Sequence, residues 1–353
     1  MAYTTINKST DYFNTVLYTG DGNATQAITN TFQTDFSWIK DRGVTAAHTL
    51  QDAVRTWDVT KKLTSNDNDA ENNASGATWG NYGGVTAVGA TSFTTSLGSN
   101  TPYQTNANGS NYVAWNWKAG GGQGSSNTDG SINTTYTSVN TTAGFSVSQY
   151  AATGSNATVG HGLGAVPKMI LVKQLNTARD WSVYHVGMGN GNYMNLNATG
   201  GSSSSSTHWN STTPTSSVFS IGTSNQTNEN GNNYIAYCFA EKSGYSKFGS
   251  WVSNNNADGV FVYTGFAPSF VMLKESDGNN QWVMYDNKRP GYNQTSNALF
   301  ANANSVEATD LGVDLLSNGY KIRATNNQNT GNYIYMAFGQ SLVGTNNVPC
   351  TAR

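Results

Sequence analysis

The stretch that decides the fold is Asn233-Tyr234-Ile235-Ala236-Tyr237-Cys238-Phe239, because the chain carries two related versions of it. They are Asn111-Tyr112-Val113-Ala114-Trp115-Asn116-Trp117 and Asn332-Tyr333-Ile334-Tyr335-Met336-Ala337-Phe338. A second matched segment stands upstream of each copy, at residues 35–40, 168–173 and 269–274. Self-similarity at a long period marks a modular array. The sequence therefore predicts three related modules.

The repeated segments predict strands, because large residues occupy nearly every position, as in a strand covered on both faces. Asn-rich turns precede the copies at 106–109, 228–231 and 327–331. Asn-Gly accepts positive φ, so these turns predict that the last strand of each module is the second arm of a hairpin. Helical periodicity is nearly absent, and residues 297–306 are the best helical candidate. We predict an all-β protein of three tandem, related antiparallel β-sandwich-like modules with long polar loops.

Composition sets the predicted boundaries of the modules. Module 1 covers residues 1–118, module 2 covers 143–241, module 3 covers 242–340, and 341–353 form a C-terminal tail. Residues 119–142 are predicted to be a linker, because the run Gly120-Gly121-Gly122 and the pair Ser125-Ser126 offer few side chains to pack.

Charge and hydropathy exclude several classes of partner. Only 11% of the 353 residues are charged, and the formal net charge is −2. Without a basic stripe to neutralise phosphates, nucleic acid is not expected as a partner. No apolar run approaches the roughly 20 residues that span a bilayer, so membrane insertion is not expected. The first residues lack the basic and apolar segments of a secretory signal, which predicts a protein that is made in the cytoplasm of the producing cell and is not secreted by that route.

The segments 234–249, 261–266 and 282–289 resemble phage virion proteins, especially tail-fibre-like proteins of marine podophages and cyanophages. The likeness is clearest over about 230–340 and transfers no catalytic residue. It implies a place on the virion, at the tail or particle surface, with other virion proteins as partners. It also implies contact with a host surface glycan or outer-membrane receptor, and a homo-oligomer in which a trimer is favoured.

Catalytic and metal-binding patterns are not found. The sequence has no His-x-x-Glu-His, Gly-x-Ser-x-Gly or Cys-x-x-Cys motif, and its four histidines are isolated. The series Asp67-x-Asp69-x-Glu71 fails as a calcium loop, because Asn72 and Thr78 stand where Gly and Glu are needed. We therefore expect no enzyme activity, no cofactor and no metal.

Other chemically notable residues receive structural interpretations. Asp286, beside Lys288 and Arg289, is interpreted as a strand-end turn with a solvent-exposed ion pair. Cys238 is predicted to be a buried free thiol.

Aromatic residues divide into a repeated set and an unmatched set. Trp181, Tyr184, Trp282 and Tyr285 recur in matched strands and are predicted to lie in the core. The unmatched residues stand among Asn, Gly or Ser in predicted loops, where recognition concentrates on rigid β scaffolds. Aromatic rings with polar neighbours suit half-wet sugar sites, so the candidate binding residues are Trp79, Tyr82, Trp209 and Tyr292.

Together these features favour a structural component of a tailed-phage virion, a non-enzymatic tail fibre or receptor-binding protein for host adsorption. One alternative is an architectural virion protein, such as a capsid decoration or tail scaffold, without receptor contact. A polysaccharide depolymerase is less favoured, because the short, regular repeats of a β-helix are missing.

Overall fold

The computed structural model describes residues 4–72, 78–290, 292–309, 312–324 and 330–342. Over these ranges the regular structure is almost entirely antiparallel strand, which confirms the all-β prediction. The described residues contain one α-helix, α1 (Asn225–Asn228), and 3-10 helices at Ser9–Asp11, Val59–Lys61 and Trp79–Tyr82. The helical candidate at 297–306 is wrong, because this segment holds a strand and turns.

The strands follow the three modules in chain order. Module 1 contains β1 (Phe13–Thr19), β2 (Thr25–Thr29), β3 (Phe36–Asp41), β4 (Thr49–Asp52), β5 (Val85–Gly89), β6 (Ser92–Ser96) and β7 (Asn111–Trp117). Module 2 contains β8 (Tyr136–Asn140), β9 (Phe145–Ala151), β10 (Ala157–Gly160), β11 (Pro167–Gln174), β12 (Ser182–His185), β13 (Asn192–Asn195), β14 (Ser203–Ser204), β15 (Val218–Ile221) and β16 (Asn233–Ala240). Module 3 contains β17 (Ser246–Val252), β18 (Phe261–Tyr263), β19 (Pro268–Glu275), β20 (Val283–Asp286), β21 (Leu299–Phe300), β22 (Val313–Leu316), β23 (Gly319–Ile322) and β24 (Asn332–Gly339).

Each module builds its main sheet in the same order. The shared orders are β1-β7-β3-β4, β9-β16-β11-β12 and β17-β24-β19-β20. The repeated strand therefore lies between two strands that are distant in sequence, and the hairpin prediction is wrong. The positive φ expected in the preceding turns is observed, since Gly109 and Gly231 have φ of 76° and 79°. After the turn, the repeated strand takes the place between two strands that both precede it in the sequence.

A smaller sheet covers one face of each main sheet and completes the sandwich. The smaller sheets are β2-β6-β5, β10-β15 and β18-β23-β22. Side chains alternate along the repeated strand, so Tyr234, Ala236 and Cys238 pack in the sandwich core of module 2. Cys238 is a buried free thiol, as predicted. Cys350 lies outside the described residues.

The opposite faces of the three main sheets meet in one central hydrophobic core. At its centre lie Trp117, Phe239 and Phe338, which we call the axial triad and which occupy equivalent positions in the three repeated strands. Their ring centroids are 6.2, 5.8 and 6.3 Å apart. The three modules therefore surround a pseudo-threefold axis within a single chain.

The segment 119–142, predicted as a linker, is in part integral to the fold. Residues Tyr136–Asn140 form edge strand β8 of module 2, and Ile132 bridges to Val159. The Gly-rich run is fixed at its start, because the buried Asp35 carboxylate accepts hydrogen bonds from the backbone of Ala119 and Gly121 at 2.7 and 3.0 Å. Hydrogen bonds to the backbone therefore hold this segment in place, although its glycines have no side chains to pack.

A stacked aromatic pair fixes the turn before the repeated strand. Tyr150 stacks on Tyr234 at 5.4 Å, and the matching pair in module 1 stacks at 5.0 Å. The Tyr234 hydroxyl donates to Asn225 O at 2.7 Å and accepts from Glu229 N at 2.8 Å. The hydroxyl therefore connects both ends of the preceding loop to the sheet.

We predict that Tyr234→Phe lowers the free energy of unfolding by about 1–3 kcal/mol, because the buried backbone groups lose their partner. Chemical denaturation followed by circular dichroism measures the effect. The exposed Tyr263 supplies the control, since Tyr263→Phe removes a hydroxyl that water can replace. Equal destabilisation by the two variants would contradict this role for the Tyr234 hydroxyl.

Candidate functional site

Each junction between modules is closed by a ring N–H that donates to a backbone carbonyl. Trp181 Nε1 donates to Thr64 O at 2.8 Å, and Trp282 Nε1 donates to Asn195 O at 3.0 Å. At the equivalent position of module 1 stands His48, whose Nε2 lies 3.0 Å from Phe300 O. His48 Nδ1 accepts from Trp38 Nε1 at 2.8 Å, which assigns the proton to Nε2. The three junctions thus share a hydrogen bond from a ring N–H to a backbone carbonyl, and the ring is an indole in two of them and an imidazole in the third.

The ends of β4 and β20 add a buried ion pair to two junctions. Asp286 pairs with Arg289 at 2.7 Å and accepts from Trp115 Nε1 of module 1 at 3.1 Å. Asp52 pairs with Arg55 at 2.6 Å and accepts from the Tyr237 hydroxyl of module 2 at 2.7 Å. The interpretation of Asp286 as part of a solvent-exposed pair is therefore wrong, because its side chain and that of Arg289 are fully buried.

The third junction has no such ion pair at the matching position. Here His185 Nε2 lies 3.0 Å from Tyr335 O, and His185 Nδ1 accepts from Gly187 N at 3.0 Å. The residue facing it on the repeated strand is Met336, which has no N–H or O–H to offer a carboxylate. An Asp–Arg pair thus occurs where the repeated strand of the neighbouring module carries Trp115 or Tyr237. Histidine occurs where that strand carries Met336.

A lysine is buried at the same register in every module. Burial lowers the pKa of Lys40 and Lys274 to about 8 and that of Lys173 to about 7. Lys173 Nζ donates to Asn68 O of module 1 at 3.2 Å, and Lys274 Nζ donates to Thr199 O of module 2 at 3.0 Å. These ammonium groups bind loops of the neighbouring module, so we interpret them as structural contacts.

The structure separates the candidate binding aromatics. Trp209 is 2% exposed and packs in the sandwich core of module 2, edge-on to Tyr184 at 5.9 Å. Its prediction as a surface contact is wrong, because the loop carrying it folds over the sheet. Trp79 is also buried, with Tyr82 packed partly against it at 5.9 Å. The repeated residues Trp181, Tyr184, Trp282 and Tyr285 are buried, as predicted.

Tyr292 is the most exposed of the four candidates, with 79% of its surface exposed, whereas Tyr82 is only partly exposed. It lines a cleft of about 170 Å³ in module 3. The described lining combines an apolar floor with uncharged polar groups: Ala267, Pro268, Asn287, Asn293, Thr295, Leu315, Leu316, Ser317 and Gln340. Asn293 holds the rim, since its side chain exchanges hydrogen bonds of 2.8 and 3.0 Å with the backbone of Leu315.

Sequence reasoning missed two exposed aromatics beside this cleft. Phe261 and Tyr263 point outward from β18 and are 42% and 62% exposed, while Val262 between them is buried. Leu316 of the cleft pairs with Gly319, which pairs in turn with Tyr263, so cleft and aromatics share one sheet. The alternation large-small-large was visible in the sequence, but it does not tell which face is covered.

Charges on this sheet are paired with one another. Lys321 lies 2.6 Å from Asp258, and Arg323 lies 2.6 Å from Asp314. We call Phe261, Tyr263, Tyr292 and Leu316 the module 3 face. It presents three aromatic rings beside the uncharged amide and hydroxyl groups of the cleft, a combination that suits the apolar faces and hydroxyls of a sugar.

Among the described residues, no three His, Cys, Asp or Glu side chains come together as a metal site. Of the rejected calcium series, Glu71 instead pairs with Arg55 and Lys61 at 3.0 and 3.2 Å. No helix in the described part of the chain has the length and apolarity to cross a bilayer.

Comparison with known proteins identifies a family. A family model described as a domain of unknown function, DUF7483, matches residues 8–341. The chain belongs to this family. The match of DUF7483 covers all three modules, so the pseudo-threefold arrangement falls within a single family domain.

No curated protein matches this DUF7483 chain. A solved structure titled "Crystal Structure of the STIV MCP" aligns at 12% identity and a TM-score of 0.21. The alignment covers 65% of this chain and 95% of that one.

Proposed function

We propose that this protein is a structural component of a tailed-phage virion and acts as a non-enzymatic tail-fibre or receptor-binding protein. The module 3 face would be its host-contacting surface. The observation that carries the proposal is the exposed aromatic group beside an uncharged polar cleft, held on a rigid β scaffold. The sequence resemblance to tail-fibre-like proteins, clearest over about 230–340, supports the same assignment.

The ligand class that fits best is a neutral glycan of the host surface. The cleft of about 170 Å³ has the scale of a single sugar ring, and its described lining carries no charged side chain. Amide and hydroxyl groups can exchange hydrogen bonds with sugar hydroxyls while Tyr292 offers its face. Avidity between copies in a homo-oligomer, with a trimer favoured, would strengthen a weak single contact.

An experiment with cells tests adsorption directly. Labelled protein is incubated with a panel of marine bacterial and cyanobacterial strains, and bound protein is measured by flow cytometry. We expect Tyr292→Ala to weaken binding about tenfold, which corresponds to about 1.4 kcal/mol. Tyr82→Ala in module 1 tests the partly exposed candidate outside this face. It should bind normally, and an equal loss in this variant would contradict the assignment of the contact to module 3. Periodate treatment of the cells should abolish binding to a glycan, whereas protease treatment should abolish binding to a protein receptor.

The alternative is an architectural virion protein without receptor contact, since the same exposed face could seat a neighbouring virion protein. A density map of the particle distinguishes the two. A receptor-binding protein projects the module 3 face outward, whereas a decoration or scaffold protein covers it. If the face is covered and no strain binds the purified protein, the adhesion proposal fails.

A further inference from the structure

Two of the three junctions between modules depend on an uncharged histidine. His48 connects module 1 to module 3 through Phe300 O and Ala303 O, at 3.0 and 3.1 Å. His185 connects module 2 to module 3 through Tyr335 O at 3.0 Å. The other two histidines of the chain, His161 and His208, form their hydrogen bonds within module 2. Both junction histidines therefore hold module 3.

Each junction histidine uses both ring nitrogens, one as a donor and one as an acceptor. Nδ1 of His48 faces the N–H of Trp38, and Nδ1 of His185 faces the N–H of Gly187. Adding a proton to Nδ1 would set two N–H donors against each other at 2.8 and 3.0 Å. The charged ring can be accommodated only if the junction opens.

Among the residues that the structure describes, no carboxylate faces either ring. The charged group facing His48 is Lys40, a cation, which itself faces Asp41 and Glu307. Around His185 the cleft between the sheets is lined by Met169, Met272, Trp282, Ile334, Tyr335 and Met336. An imidazolium at either place would be buried without compensation.

We propose that mild acid opens the two junctions of module 3 while the junction between modules 1 and 2 stays closed. The latter is closed by Trp181 on Thr64 O and by the Asp52–Arg55 pair on Tyr237, with no histidine among these contacts. Acid would therefore release the module that carries the exposed aromatic face. The inference concerns the scaffold and does not depend on adhesion being the function.

The direction of the pH dependence follows from the ring pKa values. Burial lowers the pKa of His48 from 6.5 to about 3 and that of His185 from 6.5 to about 4. An opened junction returns each ring to water, so the open state binds protons that the closed state excludes. Opening is thus favoured as the pH falls below 6.5, and the closed form is fully favoured above it.

Hydrogen exchange read at single junction amides tests the proposal. Ala46 N, which bonds to Asn304 O, and Ser202 N, which bonds to Ser276 O, report on the two junctions of module 3. Glu71 N, bonded to Leu175 O, reports on the junction between modules 1 and 2. Protection factors, corrected for intrinsic exchange, are compared at about pH 7.5 and about pH 5.5.

We expect the protection of Ala46 and Ser202 to fall by up to about tenfold per histidine per pH unit below the free pKa. The protection of Glu71 should change little. Unchanged protection of all three amides, or an equal loss at all three, overturns the proposal. The first result would show that the histidines do not control opening, and the second would show that acid unfolds the whole chain.

The repeats supply matched variants. His185→Asn keeps an acceptor for Gly187 N, as Asp286 does for Lys288 N at 2.9 Å, and removes the titration. Trp38→Leu with His48→Trp copies Leu171 and Trp181 of module 2 into module 1. We expect His185→Asn to remove the acid response of Ser202 and the double variant to remove that of Ala46. His161→Asn, within module 2, should leave both responses intact, and if it abolishes them the proposal fails. If the double variant does not fold, His185→Asn alone decides.

Discussion

Trp117→Ala is expected to lower the free energy of unfolding by about 3–5 kcal/mol, the range for deleting a large aromatic from a core. The indole packs against Phe13 and Phe36 of its own module at 5.0 and 5.2 Å. It also meets Phe239 and Phe338 of the other two modules at 6.2 and 5.8 Å. Because the cavity would open on the axis, we expect the three modules to lose stability together. Chemical denaturation followed by far-ultraviolet circular dichroism measures the change.

The chain provides its own control for this substitution. Phenylalanine occupies the equivalent position in the other two modules, so Trp117→Phe copies the axial residue found there. The Trp117 Nε1 has no hydrogen-bond partner among the described residues, so phenylalanine leaves no polar group stranded. We expect a loss of less than about 1.5 kcal/mol, as for other conservative core exchanges. Similar losses for both variants would show that the axis is not a close-packed centre.

Asp286→Ala is expected to destabilise the protein by about 3–5 kcal/mol, because it leaves a buried guanidinium without its carboxylate. Arg289 lies against the Trp115 ring at 5.6 Å and donates to Met284 O at 2.8 Å, so it cannot turn to solvent without opening the junction. Glu307 remains at 3.1 Å but is shared with Arg42. Thermal and chemical unfolding measure the loss.

The informative control removes both charges at once. Asp286→His with Arg289→Met copies His185 and Met188, the residues at the matching positions of module 2. With no unpaired charge buried, this double variant should regain at least half of the lost stability. A double variant no more stable than Asp286→Ala would show that the ion pair is not what the site requires.

The strand content could be predicted because the repeated segments carry dense β-branched and aromatic residues between turns. The matched segments 168–173 and 269–274 lie within the strands Pro167–Gln174 and Pro268–Glu275. Covering on both faces could also be predicted from the repeated strand. What covers the second face could not, because an apolar side chain does not record whether its partner is another sheet of the same module or a different module.

The candidate site was less predictable for the same reason. Trp209 and Tyr292 stand in similar polar sequence, yet one fills a core and the other is exposed. Phe261 and Tyr263 look like core residues in the sequence, but the smaller sheet of module 3 has only one covered face. Asp286 looked like a surface charge because its partner Trp115 lies far away along the chain. Each of these outcomes depends on contacts that local pattern does not contain.

Joining the three modules in one polypeptide also changes how the molecule can vary. In a symmetric trimer of identical subunits, each substitution appears at three equivalent positions, whether the residue lies near the axis or at the edge. Here Trp117 and Phe338 already differ at the centre, and His48 differs from Trp181 at the edge. Each module can therefore change independently of the other two. Two modules can preserve the packing of the central core while the third acquires new exposed residues.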